Sequence, residues 1–290
     1  MSKFVECIFF ALIVIAVEAI RNNGELAEIS EFPFQVSLRI NGGHSCGGVL
    51  ITRKHVLTAA HCVNDYIDPA EQNLWSASIE LGATHLNAGL RYPISRISIH
   101  KDFKNEYKPM FLPNDVAVVH LRHSVKLSPT IQTIALPRMM TEVPMNTSLI
   151  VSGYGLINHT AYLPWDSPLR KFETKVAGCE AINTTTLWNV FCDELRVGYA
   201  ACNGDSGSGI IDANTKTLVG IVSGIGDECG AGIEPDVFLK VSYYIPYIKS
   251  ELAYDPENSK IQSERPARNV EEIFYINDCY SPGCAYKSKD

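Results

Sequence analysis

The sequence lacks three features that would have placed it in other classes of protein. It has no basic run and a formal net charge of −7, so nucleic acid and anionic membranes are poor candidates as partners. It has no CxxC or HxxxH spacing, so it predicts neither a metal site nor a cofactor. Its N-terminal apolar run, residues 4–17, is broken by Glu6 and is shorter than the roughly 20 residues that cross a membrane.

The N-terminal run instead has the features of a secretory signal. Residues 1–3 are a short basic start, residues 4–17 are mostly apolar, and residues 17–19 end on the small side chain that signal peptidase accepts. We therefore expect residues 1–19 to be removed and the mature chain to be secreted. The alternative, a membrane anchor, is disfavoured by the length of the run and by Glu6.

Cysteine usage agrees with secretion. Cys7 would leave with the signal, and the other eight cysteines are an even number, as expected of a disulfide framework in an oxidising compartment. Asn146, Asn158 and Asn183 are each followed two residues later by Ser or Thr, which makes them candidate glycosylation sites. The eight cysteines are Cys46, Cys62, Cys179, Cys192, Cys202, Cys229, Cys279 and Cys284.

Short apolar or alternating runs, separated by turn signals, predict an all-β fold. About 235 residues of such strands in two similar batches favour a pair of barrels over one large sheet. One helix is predicted, at residues 241–252, where apolar side chains recur at helical spacing. The predicted strands are 34–40, 46–52, 74–81 and 116–121, and then 149–154, 209–211, 218–223 and 237–241.

The stretch 201–209 is the most informative part of the chain. A serine hydroxyl becomes an effective nucleophile beside a base, with N–H groups aimed at the oxyanion that it creates. Glycines allow a tight turn here, and Gly204 and Ser206 are placed to supply two such N–H groups, with Asp205 between them. By itself the stretch is also typical of a surface turn, because these are the commonest turn residues.

Two other segments offer partners for Ser206. His61 follows an apolar strand and precedes a cysteine, and Asp115 stands at the head of the apolar strand 116–121. Alone, His61 could be a core histidine and Asp115 a turn residue. A buried carboxylate is costly unless it is paired, so Asp115 requires a hydrogen-bonding partner, and His61 is the obvious one.

Together these stretches resemble the chymotrypsin-like secreted serine proteases. The resemblance covers about 230 residues and omits only the signal and the C-terminal extension. It is carried by residues 24–27 (Gly-Glu-Leu-Ala), 32–38 (Phe-Pro-Phe-Gln-Val-Ser-Leu), 46–48 (Cys-Gly-Gly), 59–62 (Ala-Ala-His-Cys), 114–115 (Asn-Asp), 152–155 (Ser-Gly-Tyr-Gly), 204–207 (Gly-Asp-Ser-Gly), Ser223 and 235–238 (Pro-Asp-Val-Phe).

The resemblance implies a fold and a set of roles. The fold is two six-stranded antiparallel β-barrels with a C-terminal helix. His61 would be the general base, Asp115 would orient it, Ser206 would be the nucleophile, and the N–H groups of Gly204 and Ser206 would form the oxyanion hole. Residues 82–88 lack the paired carboxylates of the family's calcium loop, so no metal is expected. The implied disulfides are Cys46–Cys62, Cys179–Cys192 and Cys202–Cys229, with Cys279–Cys284 as an addition.

The resemblance also places a substrate pocket. Its floor is Ala200, where a trypsin-like enzyme would have Asp, and Ser223 lies on its wall. Gly224 replaces a Trp that is usual there, and Ile225 would narrow the mouth of the pocket, as in elastase-like members. Asp236 stands where most relatives have Gly, which resembles the broad-specificity collagenolytic proteases of arthropods; otherwise it would be a solvated loop acid. We expect cleavage after Leu, Met or Phe, with a minor tolerance of Arg or Lys that depends on Asp236.

The start of the mature chain departs from the family. Most relatives begin Ile-Val-x-Gly, whereas residues 21–24 are Arg-Asn-Asn-Gly. In the family, the new ammonium group pairs with the acid before the nucleophile, here Asp205, and before cleavage that acid can lean on a His and a Ser, matched by His44 and Ser37. We expect Ile20, or Asn22 after a cut at Arg21, to supply the ammonium without a separate pro-peptide.

A second departure follows the nucleophile. Ser208 and Gly209 stand where Gly-Pro is usual, and because those positions support a turn, we expect a small effect. After Ala253 the composition changes, so we place a boundary there between the protease-like domain, 20–253, and an extension, 254–290. The extension is either a strap or tail stapled by the loop between Cys279 and Cys284, or a segment that binds a partner or covers the domain. We expect its deletion to leave ester hydrolysis largely intact.

Two functions stay open at the level of the sequence. The first is a secreted endopeptidase that acts on proteins or peptides as a monomer and meets protein protease inhibitors. The second is a protease-shaped binding protein of weak or absent activity, since a fold by itself does not determine activity. The intact set of His61, Asp115 and Ser206 favours the enzyme.

Overall fold

The computed structural model describes residues 24–64, 74, 76–105, 112–157, 162–179, 188–226 and 229–254. These residues form two closed six-stranded antiparallel β-barrels and a short C-terminal helix, which confirms the predicted architecture. The chain divides into two units after Leu252. The expected signal, residues 1–19, and the residues beyond Tyr254 lie outside the described ranges. Within the described ranges, no helix is both long and apolar enough to span a bilayer.

The first barrel is built from the first half of the chain. A two-residue strand, β1 (Glu25–Leu26), precedes it. Its six strands are β2 (Gln35–Ile40), β3 (Gly43–Thr52), β4 (His55–Thr58), β5 (Ala77–Leu81), β6 (Leu90–Ile99) and β7 (Ala117–Leu121). They close in the order β2-β3-β4-β7-β6-β5, and β2 and β7 are buried along their whole length. The ends of β4 and β7 therefore lie side by side, and the residues that flank them can meet.

The second barrel follows the same plan. Its strands are β8 (Ser148–Gly153), β9 (Arg170–Ala177), β10 (Val190–Asp193), β11 (Gly209–Asp212), β12 (Leu218–Gly224) and β13 (Val237–Lys240). They run in the order β9-β10-β13-β12-β11-β8, and pairing of β8 with β9 closes the barrel. The strand β1 pairs with β9 from outside, in a register that sets Glu25 opposite Lys171. The N-terminal segment is thus tied to the second barrel.

The predicted helix is confirmed with a tighter first turn. Residues Val241–Tyr244 form a 3₁₀ turn, and the α-helix α1 spans Ile245–Leu252. The buried side chain of Ile248 faces the core, and the Tyr247 hydroxyl donates a 2.6 Å hydrogen bond to the carbonyl of Ser98 in β6. The end of the domain is therefore fastened to the first barrel.

The eight predicted ranges are all strands, with small shifts at their ends; β4 was expected only as the apolar strand before His61, and β1, β6, β9 and β10 were not predicted. The strand β6 carries Arg91 and Pro93, which interrupt its apolar pattern, and it is held by pairing with β5 and β7. The strand β9 alternates buried and exposed side chains between Phe172 and Val176, which is the ordinary period-2 signal. That alternation alone could have identified β9.

Three of the four implied disulfides are present. They are Cys46–Cys62, Cys179–Cys192 and Cys202–Cys229, whereas the expected Cys279–Cys284 lies outside the described residues. Of the candidate glycosylation sites, Asn146 lies exposed in a turn with a positive φ of 63°, and Asn158 and Asn183 are also outside the described ranges.

Candidate active site

The carboxylate of Asp115 is the centre of a small hydrogen-bond network. Asp115 immediately precedes the apolar residues of β7 and is fully buried. Its Oδ1 accepts the backbone N–H of His61 at 2.8 Å, and its Oδ2 accepts His61 Nδ1 at 2.7 Å and the hydroxyl of Ser223 at 2.7 Å. Each carboxylate oxygen is therefore satisfied, which is what a buried charge requires.

The same contacts fix the state of His61, whose side chain is 25% exposed beside the fully buried Asp115. Because Nδ1 faces a carboxylate, it carries the proton, and Nε2 is left as the basic nitrogen. Burial alone would lower the pKa of His61, but the charge and the hydrogen bond of Asp115 outweigh it, and the pKa lies above its ordinary value. His61 is thus oriented as a proton acceptor.

The loop that carries Ser206 reaches the first barrel from the second. Gly204 and Gly207 have φ angles of 98° and 81°, a region that favours glycine, and they shape the turn on each side of the serine. The carbonyl of Ser206 accepts the N–H of Gly47 in β3 at 2.8 Å. The sulfur of Cys62 lies 3.7 Å from this carbonyl and 3.8 Å from His61 Nε2. The basic nitrogen and the serine loop therefore flank one sulfur atom.

That sulfur is not part of a metal site. The ligand atoms of Cys46, His61 and Cys62 lie within 4.8 Å of one another, a spacing compatible with a metal ion. The two sulfurs are bonded to each other, so they have no thiolate to offer, and His61 is already committed to Asp115. The arrangement instead fixes the position of the histidine.

Comparison with known proteins agrees with this geometry. A protein-family model described as Trypsin matches residues 21–248. The chain belongs to the trypsin family. It is 28% identical over 239 residues to Transmembrane protease serine 11G of Rattus norvegicus and 29% identical over 240 residues to Transmembrane protease serine 11A of Homo sapiens. Each match covers 79% of this chain and 54% of the relative, so the chain spans about half the length of the curated relatives it matches.

In this member of the trypsin family, His44 and Ser37 lie beside the serine loop, and their contact with Asp205 before cleavage stays a prediction. The hydroxyl of Ser37 lies 2.8 Å from His44 Nδ1, and His44 Nε2 donates to the carbonyl of Gly204 at 2.9 Å. Asp205 instead accepts the N–H groups of Gly155 at 2.8 Å and of Cys202 at 3.0 Å. The histidine holds the backbone beside the serine, and the aspartate bridges two loops.

The environment of His44, which is only partly exposed, predicts a pH effect on stability. Burial lowers the pKa of His44 to about 4, against the opposing hydrogen bond to Gly204. Between pH 6.5 and 4 the unfolded chain binds a proton that the folded protein does not, so this histidine removes stability as the pH falls, at up to about 1.4 kcal/mol per pH unit. Urea unfolding from pH 7 to 4.5 should show His44→Gln gaining stability relative to the wild type as the pH falls. A difference in unfolding free energy between the variant and the wild type that does not change with pH would contradict this.

A small cavity lies beside Asp205. Gly153, Gly155, Ala200 and Arg170 line it together with Asp205. Burial raises the pKa of Asp205 to about 6, although the N–H groups of Gly155 and Cys202 oppose the rise. The cavity therefore holds a carboxylate that a cation would stabilise.

The Ser208 departure is more than a turn substitution. Ser208 is fully buried, and its hydroxyl accepts Gln35 Nε2 at 3.1 Å, while Gln35 Oε1 accepts the hydroxyl of Ser152 at 3.0 Å. This chain of hydrogen bonds joins the first barrel to the second beneath the serine loop. The sequence did not reveal these contacts, and the expectation of a small effect at Ser208 stays a prediction.

The residues expected in the substrate pocket do not share one environment. Ala200 lines a cavity that also includes Asp236. The hydroxyl of Ser223 is engaged by Asp115, and Ile225 is half-buried against the core of the second barrel. Asp236 is 2% exposed, so it is not a solvated loop acid. Sequence reasoning missed its neighbour Asp193, which no motif marks.

Proposed function

We propose that the protein is a secreted serine endopeptidase that hydrolyses peptide bonds in proteins or peptides. The observation that carries this proposal is the double anchorage of His61 on Asp115, at 2.8 and 2.7 Å, beside the loop of Ser206. A histidine held in this tautomer accepts a proton at Nε2, which is the requirement for activating a serine.

The reaction would proceed through an acyl-enzyme. Ser206 Oγ attacks the substrate carbonyl while His61 Nε2 takes its proton, and the N–H groups of Gly204 and Ser206 stabilise the oxyanion. Collapse of this intermediate breaks the peptide bond, and His61 returns the proton to the leaving amine. Water, activated by the same nitrogen, then attacks the ester and releases Ser206.

An organophosphorus serine probe tests the activity directly. The purified protein should bind the probe covalently at Ser206, and Ser206→Ala should abolish labelling while leaving the unfolding midpoint unchanged. Hydrolysis of a casein substrate should be lost in the same variant. A folded wild type that neither labels nor hydrolyses would instead support a protease-shaped binding protein.

We further propose a chymotrypsin- or elastase-like preference, with a resemblance to arthropod collagenolytic proteases. Ala200 offers no charge at the floor, which favours apolar substrate side chains. The carboxyl of Asp236 lies buried beside this floor, where its Oδ2 accepts the N–H of Ala201 at 2.6 Å. A basic side chain would have to reach this acid to be accepted.

The specificity is tested with a peptide library varied at the residue that donates the scissile carbonyl. Wild type should cleave fastest after Leu, Met or Phe and more slowly after Arg or Lys. Asp236→Gly should lower kcat/KM for the basic substrates by about tenfold, the value of one hydrogen bond to a charge, and leave Leu nearly unchanged. Dominant cleavage after Arg or Lys in the wild type, or basic rates unaffected by the substitution, would overturn this assignment.

Maturation is the third part of the proposal. The expected N-terminal residues 20–23 lie outside the described ranges, but the first described residue, Gly24, is bound through its carbonyl by Arg170 at 3.2 Å. Arg170 lines the cavity that contains Asp205, and four extended residues reach about 13 Å. We propose that the ammonium of Ile20 or Asn22 reaches that carboxylate, and the link from Gly24 through Arg170 to the cavity of Asp205 supports this.

N-terminal sequencing of the secreted, probe-reactive protein should give a start at Ile20 or Asn22. Carbamylation of that amine before the probe is added should reduce labelling, because Asp205 would lose its cation. A start well downstream of Asn23 would contradict this account.

A further inference from the structure

Two buried acids lie next to each other behind the proposed substrate pocket. Asp193 ends β10 and is 3% exposed, and Asp236 immediately precedes β13 and is 2% exposed. These strands are antiparallel partners with Cys192 opposite Val237. The next pair in this register is Asp193, which follows Cys192, and Asp236, which precedes Val237. The register therefore forces the two carboxyl groups together.

Hydrogen bonds satisfy three of the four carboxyl oxygens. Asp193 Oδ1 accepts the N–H of Asp236 at 2.9 Å, and Asp193 Oδ2 accepts the hydroxyl of Thr174 at 3.3 Å. Asp236 Oδ2 accepts the N–H of Ala201. Asp236 Oδ1 is buried without a hydrogen-bond partner of good geometry among the described residues, although the backbone N–H of Gly226 lies near enough to the Asp236 carboxyl to lower its pKa slightly. A buried polar atom left in this way is costly unless it binds a proton or a ligand.

The surrounding charges do not neutralise the pair. Glu194, Arg196 and Glu234 line the same cavity, and Arg196 is its one cation among the described lining residues. The guanidinium of Arg196 lies 4.0 Å from Glu194 and 4.4 Å from the ring centroid of Tyr199, and it donates to a backbone carbonyl of β9. Asp205, from the serine loop, adds a further negative charge.

Burial raises the pKa of Asp193 to about 7 and that of Asp236 well above its ordinary value, and the charge of Asp193 further disfavours ionisation of Asp236. Two acids that interact this strongly lose their protons in two separate steps that belong to the pair. Near neutral pH the pair therefore retains at least one proton.

We propose that Asp193 and Asp236 form a proton-sharing pair, and that Asp193 is a positioning residue that sets the pH at which the pocket accepts a basic substrate side chain. The inference rests on the proposed protease function. At lower pH both acids are protonated, and the uncharged pocket favours apolar substrate side chains. As the pH rises, the pair becomes negative, and Asp236 Oδ1 becomes the acceptor for an amidinium, guanidinium or ammonium group.

The test measures binding of benzamidine, a small amidinium, to the full chain carrying Ser206→Ala, by calorimetry from pH 6 to 9. Binding should tighten by about tenfold with rising pH, the value of one charge-assisted hydrogen bond. Asp193→Asn should shift the midpoint to lower pH, because Asp236 loses its like-charged neighbour. Thr174→Val should shift it to lower pH by a smaller amount, because Asp193 loses the hydroxyl that stabilises its charged form and therefore opposes the ionisation of Asp236 less. Asp236→Asn should bind weakly at every pH.

Binding independent of pH in the wild-type background would overturn the proposal, and so would a midpoint unmoved by both Asp193→Asn and Thr174→Val. If Asp193→Asn does not fold, the smaller shift to lower pH in Thr174→Val still decides the matter. In the active protein, the ratio of kcat/KM for Arg and Leu substrates should rise with the same midpoint, since titration of His61 cancels in a ratio. Benzamidine binding with these shifts in a protein that hydrolyses nothing would support the pair and reject the protease function.

Discussion

Replacing Asp115 with asparagine is expected to lower kcat/KM for an activated ester by about 10⁴-fold, the scale known for this substitution in Ser-His-Asp triads. The carboxylate accepts hydrogen bonds at both oxygens, from the backbone of His61, from its Nδ1 and from Ser223. An amide has one acceptor oxygen, so its NH₂ must face a donor in either orientation. His61 can relieve this only by moving its proton to Nε2, where it no longer acts as a base.

Ser223→Ala is the matched control for this substitution. It removes one donor to Asp115 but keeps the carboxylate and the tautomer of His61, so a loss of about tenfold or less is expected. Both variants should be compared with p-nitrophenyl acetate across pH, together with their unfolding midpoints. An Asp115→Asn protein that stays folded and keeps activity within tenfold of the wild type would remove the triad from the mechanism.

Gly47→Ala is expected to destabilise the protein by about 1–3 kcal/mol, the usual cost of overpacking a core. A Cβ at this position would overlap Ser208 Oγ and lie 2.9 Å from its Cβ and 3.0 Å from its backbone nitrogen. Relief requires the serine loop to move, and the hydrogen bond from Gly47 to the carbonyl of Ser206 would be lost with it. Activity should therefore fall together with stability.

A double-mutant cycle with Ser208→Gly separates this clash from other effects. Ser208→Gly alone loses the hydrogen bond from Gln35, about 1 kcal/mol. The double variant should be more stable than the sum of the single changes predicts, by 0.5 kcal/mol or more, because the overlapping atoms are gone. Gly43→Ala is the control, since its nearest neighbour would be the carbonyl of Ile40 at 3.9 Å. Additive urea-unfolding energies would show that the two sites do not touch.

The sequence could predict the elements whose local pattern and tertiary role agree. The apolar residues 116–121 and 237–241 indicate buried strands by themselves. Asp115, at the head of the first strand, needs a hydrogen-bonding partner in any fold that buries it. Strand β6 could not be found in this way, because its stability comes from pairing with β5 and β7, and Pro93 disrupts the local signal. A short stretch of sequence does not show which distant segment a strand will pair with.

The same reason explains the side-chain contacts that the sequence did not reveal. The contact between Asp193 and Asp236 joins residues 43 apart, and that between Gln35 and Ser208 joins residues 173 apart. Neither belongs to a motif, and each arises because two strands or two barrels bring unrelated segments together. A turn-like residue such as Ser208 becomes structural only when it is buried against a particular partner.

The pairing of β1 with β9 bears on when the protein becomes active during its biosynthesis. The ribosome releases the chain from the N-terminus, and domains generally fold as they emerge. The first barrel is complete by Leu121, but Gly24 must wait for a partner 146 residues later, and the serine loop follows that partner. If His61 and Ser206 have the proposed roles, a nascent chain has its base assembled before its nucleophile has been synthesised. On the proposed mechanism, the order of the strands delays proteolysis until the loop of Ser206 has been synthesised.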